Sequence, residues 1–199
     1  MNQSRSLAVD SARVPALWVP AMLLAYGLFR FLDRLGGTDR SGPLWVAGHV
    51  CFLVAIIGVA ALDVMVWRRL GRSLAPDAAL VAGLLGSAAF VWVILGDIFP
   101  GVHSNYPVPD LVAAAGPPAF LVGLFGLLGS LAHRGLFPWP HWALVVIGFG
   151  CVGVSLQLLP LAAVILLLAF EPFRSATRRL VGGRAPTGTR LPHNSPPGG

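Results

Sequence analysis

The sequence predicts an all-α membrane protein, a bundle of six transmembrane helices with both termini in the cytoplasm. Three observations predict it. Hydrophobic residues make up 56% of the 199-residue chain and charged residues 11%, at a mean hydropathy of +0.76, where a soluble domain carries about 25% charged residues. The apolar residues collect in five long segments, and the last, Trp142 to Phe170, runs for 29 residues without a charge. The 14 basic residues are all Arg, and six spans place eleven of them on one side.

Arginine without lysine, with heavy Ala, Gly, Val and Leu usage, points to a GC-rich coding bias and a bacterial inner membrane. The net charge of +6 is no nucleic-acid signature, because the arginines sit between and beyond the apolar segments. Their expected partners are lipid head groups. Cys51 and Cys151 both fall inside apolar segments, which gives neither a disulfide framework nor a metal pattern.

Residues 1–13 form a polar cytoplasmic tail, and residues 14–174 the membrane domain. Its first span runs from about Val14 to Leu35; it exceeds a signal-peptide core of about 7–15 residues and lacks a small-residue cleavage site. Arg30 and Asp33 stand three apart and can pair on one helical face, and Arg30 can snorkel to the interface. Span two covers about Leu44 to Trp67 and closes on Arg68, Arg69 and Arg72, placed to contact head groups. Span three covers about Ala78 to Ile98. The connection after it holds three prolines and no arginine. Span four, about Leu111 to Ala132, contains Pro117 and Pro118, which should bend or delay it. Residues 175–199 are rich in Arg, Pro, Gly and Ser and predict a disordered tail. Arg174, Arg178 and Arg179, at and just beyond the end of the last span, should lie on the inner leaflet.

The 29-residue stretch decides the span count. As one helix it would measure about 43 Å against a hydrocarbon core of roughly 30 Å. One long final helix, giving five spans, divides the arginines eight to six. A hairpin that begins near Phe137 and turns around Gly153–Gln157 divides them eleven to three, as the positive-inside rule favours. Ser155 and Gln157 are the strongly polar side chains of the run, and Pro160 suits a helix's first turn.

The motifs exclude more than they assign. Gly148 to Gly153, GFGCVG, matches the dinucleotide fingerprint G-x-G-x-x-G, but no βαβ unit can flank it here. Helix packing through glycine is the better reading, as it is for Gly123, Gly126, Gly129 and Ser130. A haem site would want paired axial ligands, and of the histidines only His49 lies clearly within a span. Ser87 lacks an intramembrane base beside it in sequence. No cofactor is expected.

What remains are polar groups at membrane depth. Asp63 reads as an interfacial acid paired with Arg68 and Arg69, or as an ion or proton relay. Gly83, Gly86, Phe90 and Asp97 share one stripe of span three, so Asp97 should point into the bundle. His49, Asp97 and His103 could converge at the outer side as zinc ligands or a proton-relay site. In the simpler alternative His49 bonds a carbonyl, Asp97 caps helix ends and His103 is in water. Functionally, the small-residue faces favour a non-enzymatic accessory protein that binds another membrane protein or itself. A small transporter or channel using the outer polar site is the alternative, and a membrane-embedded enzyme comes third.

Overall fold

A computed structural model describes residues 3–35 and 42–173, and every regular element among them is helical. The helices are α1 (Gln3–Leu35), α2 (Pro43–Leu70), α3 (Leu74–Ile98), a short α4 (Pro100–Asn105), α5 (Asp110–His133), α6 (Trp139–Val154) and α7 (Leu159–Ala169). Four are long and apolar enough to cross a membrane: α1 from Pro15 onward with 21 residues, α2 with 28, α3 with 25 and α5 with 24. The expectation of a membrane helical bundle holds at that level. The tail at 175–199 and the arginines at 174, 178 and 179 lie outside the described residues, as does Arg40.

Local chemistry sets the helix ends. Pro43 occupies the first turn of α2, where its missing N–H has no intrahelical partner to lose. Gly71 ends α2 at φ +73°, returning its N–H to the Trp67 carbonyl. A tight turn follows, and the Trp67 indole nitrogen donates to Asp77 Oδ1 at 2.6 Å, tying the end of α2 to the start of α3. At the same end of the bundle Arg134 donates to the Leu70 carbonyl, joining the end of α5 to α2. At the opposite end Trp92 donates to the Tyr106 carbonyl at 3.1 Å. That clips the proline-rich connection onto the last turns of α3.

α1 begins eleven residues before Val14 and contains Pro15 and Pro20. α5 likewise starts at Asp110 and runs on through Pro117 and Pro118, so the prolines do not delay it. A membrane helix tolerates such prolines when neighbouring helices cover the freed carbonyls.

α3 and α5 make the most extensive pairing, and glycine makes it possible. A Cβ on Gly86 would collide with the Phe120 backbone, one on Gly123 with the Gly83 backbone, and one on Gly116 with Ala89. Between lipid-facing helices there is little hydrophobic driving force, so close backbone approach and dispersion carry association. Ser130, read as part of a small-residue face, bonds back to the Gly126 carbonyl at 2.7 Å.

The long apolar run is not one helix. α6 ends at Val154, the chain turns through Ser155 and a 3-10 segment Leu156–Leu158, and α7 begins with Pro160 in its first turn. Ser155 Oγ accepts the Gln157 N–H at 3.2 Å. The two limbs pack on each other: Gly148 of α6 leaves room for Leu166 of α7. The Phe137 and Phe173 rings stack at 5.2 Å, so the hairpin's two ends meet. The turn lies where Gly153–Gln157 predicted it. Of the GFGCVG glycines, Gly148 serves packing, while Gly150 and Gly153 face open space.

Candidate functional site

A cavity of about 700 Å3 opens where the C-terminal ends of α1, α3 and α6 meet the N-terminal ends of α2 and α5. Its walls sort by depth. Tyr26 and Arg30 of α1, Trp45 and His49 of α2, Asp97 of α3 and His103 of α4 gather polar groups in its lining. Deeper lies a connected series of rings. Tyr26 stacks on Phe52 at 4.8 Å, Phe52 meets Phe90 at 6.0 Å, Phe90 meets Phe120 at 5.2 Å, and Phe120 meets Phe149 at 5.7 Å. Each step crosses to another helix, so the series joins α1, α2, α3, α5 and α6.

His49 is the buried centre of the polar group, with 3% of its surface exposed. Its Nδ1 bonds the Trp45 carbonyl at 2.9 Å, one turn earlier on α2. That bond fixes the ring and turns Nε2 toward Asp97 Oδ2, 3.5 Å away. With Nδ1 donating to the carbonyl, Nε2 offers Asp97 a hydrogen only as the imidazolium. Trp45 packs on the imidazole at 4.1 Å between centroids, and Tyr26 meets it edge-on at 5.5 Å. Asp97 is 45% exposed, so the pair joins a buried base to an accessible acid.

Arg30 turns away from Asp33, the partner its spacing suggested. One guanidinium nitrogen donates to the Tyr26 hydroxyl at 3.3 Å, and Cζ stands 5.9 Å from the centre of the Trp45 ring. Tyr26 lies four residues before Arg30 on the same face, and the Trp45 π-cloud attracts the cation from the next helix. Arg30 also borders a second hollow of about 350 Å3, shared with Gly27, Arg34 and Gln157 of the hairpin turn.

Thus His49, Asp97 and His103 do line one cavity, and His49 does bond a carbonyl, as the simpler alternative held. His103 sits beside Gly96, whose Cβ would come 3.6 Å from its Nδ1. Among the described residues no three His, Cys, Asp or Glu side chains stand close enough to hold a metal ion. Asp63 is elsewhere. It is 1% exposed, its Oδ2 has no hydrogen-bond partner, and that oxygen packs against Gly83 of α3. The carboxyl therefore faces inward, while Arg68 and Arg72 are exposed at the helix end.

Sequence reasoning missed Tyr26, Trp45 and the phenylalanine series. The four-residue spacings Tyr26–Arg30 and Trp45–His49 were available signals. The ring series was not, since it depends on which faces of uniformly apolar helices turn inward. Compared with known proteins, the chain matches no family model, no curated protein and no solved structure.

Proposed function

We propose that this is a multi-pass protein of a bacterial inner membrane, with six membrane segments and cytoplasmic termini, that binds a small amphipathic molecule in the cavity. One observation carries the reading: a cavity of about 700 Å3 with charged and polar groups at its mouth and a phenylalanine series beneath. That volume lies in the range of roughly 300–1,000 Å3 that holds single small ligands. The eleven-to-three arginine division would put this mouth on the outer side.

The small-residue faces that favoured a partner-binding role are largely consumed in the α3–α5 seam. Gly150 is the outward glycine of α6 on which such a partner could still dock, since Gly153 borders the cavity. A transport role draws support from Asp63, an acid buried in α2 far from the cavity mouth. Binding comes first because transport would require it too.

The test is to fill the cavity. Leu121 lines it, and Leu121→Trp should abolish retention of a co-purifying amphiphile, as read by native mass spectrometry from neutral-lipid nanodiscs. Equal retention by both proteins, or none by either, would count against a binding function.

A further inference from the structure

We infer that the cavity's ligand is a single-chain amphiphile with an anionic oxyanion head, a carboxylate or a phosphate, held by Arg30 with its chain along the phenylalanines. This rests on the binding function proposed above and adds the charge, shape and orientation of what is bound.

The charges of the lining point to the head. Arg30 is its arginine, half-buried, and its contacts are a neutral hydroxyl and a ring face rather than a carboxylate. A guanidinium presents about five N–H donors in a rigid fork, and the Tyr26 hydroxyl takes up one nitrogen. The remaining edge can meet a carboxylate or phosphate with two parallel hydrogen bonds. Asp97, the acid of the lining, already faces His49, so the two charges are engaged differently. A cationic head could reach the exposed side of Asp97 but would then sit beside Arg30. An anionic head takes the free edge of Arg30, with Asp97 turned to His49.

The neighbouring hollow points the same way. Arg30 is the wall between the aromatic cavity and the hollow lined by Arg34 and Gln157. A second cation and an amide thus lie on the far side of the same guanidinium. An anion arriving from the membrane surface meets Arg34 and then Arg30 before its chain reaches the rings.

The floor sets the rest of the ligand. Leu23, Ile56, Ile94 and Leu121 join Phe52, Phe90, Phe120 and Phe149 in the lining, and none of these can satisfy a polar group. A polar molecule of the cavity's size would leave most of its hydrogen-bonding groups unpaired there, at a cost for each. An alkyl chain leaves none. The volume of about 700 Å3 lies in the range that holds one small ligand, which a single-chain amphiphile matches.

The experiment compares three probes on the full chain in phosphatidylcholine nanodiscs: dodecanoate, dodecyl phosphate and dodecyltrimethylammonium. Phosphatidylglycerol included in the disc, as a competitor, serves as a fourth arm. Both anions should bind and the cation should not. Arg30→Gln should weaken the anions about tenfold or more, as loss of a charge-assisted hydrogen bond does, and Arg30→Lys, which keeps the charge without the two-point fork, should fall between Arg30→Gln and the native chain. Preference for dodecanoate identifies a free fatty carboxylate, preference for dodecyl phosphate a phosphate monoester, and displacement by phosphatidylglycerol a two-chain lipid, which would overturn the single-chain assignment. Circular dichroism of both variants checks folding. If the cation binds as well as the anions, or Arg30→Gln leaves anion binding unchanged, the head assignment is wrong while a binding cavity stands. If no probe distinguishes the native chain from Leu121→Trp, the cavity function itself fails.

Discussion

Replacing Gly123 by alanine tests the α3–α5 seam where the backbones come closest. The added Cβ would collide with the Cα and N of Gly83, with the Ala79 carbonyl oxygen 2.8 Å away. Those are main-chain atoms that no rotamer change can clear, so the two helices must move apart. Overpacking of this kind costs about 1–3 kcal/mol. The same substitution at Gly150 meets nothing within 4 Å, and exchanging a mid-helix glycine for alanine gains up to about 1 kcal/mol. That gain is common to both helix interiors, so the pair should differ by the overpacking alone, about 1–3 kcal/mol, although the chemistry is identical. Unfolding in mixed micelles, followed by circular dichroism, measures both. Equal stability of Gly123→Ala and Gly150→Ala would show that the seam is looser than described.

Further outcomes follow from the same contacts. Gly83→Ala places a Cβ 2.5 Å from Asp63 Oδ2, so it should destabilise the fold, and Asp63→Ala should restore part of the loss in a double-mutant cycle; simple additivity would refute that contact. Asp63→Asn should cost less than about 1 kcal/mol, because an oxygen without a partner loses no bond; a loss above about 3 kcal/mol would reveal an ion partner for it. Trp67→Phe should lose about 1–2 kcal/mol with its bond to Asp77, and unchanged stability would remove that tie. In a variant without Cys51 and Cys151, a cysteine at the exposed Gln157 should label from outside intact cells and one at Ser4 should not; the reverse result would favour five spans.

What could be read in the sequence follows from what membrane helices require. Long uncharged runs located α2, α3 and α5 within a few residues, because lipid penalises charge wherever the helix faces. The hairpin turn was legible from three residues, Ser155, Gln157 and Pro160, whose chemistry suits a turn and a helix start. His49, Asp97 and His103 stood out because polar groups at membrane depth are rare. The spacing of Arg30 offered both Asp33 and Tyr26, and only the fold could choose Tyr26 and add Trp45. The phenylalanine series was invisible for a different reason. Bilayer and bundle interior are equally apolar, so nothing in α3 or α5 marks Phe90 or Phe120 as inward.

The meeting of Phe137 with Phe173 bears on how the chain is made. At 1.5 Å per residue, the 16-residue limb α6 reaches about 24 Å and the 11-residue limb α7 about 16 Å, both short of a core of roughly 30 Å. Neither limb has the length that commits a nascent segment to the bilayer by itself. In the six-span arrangement proposed above, the two limbs would therefore have to enter lipid together, with Phe173 closed on Phe137. A truncation between Ser155 and Phe173 should then leave Gly148 of α6 without Leu166 over it and lower the amount of protein held in the membrane.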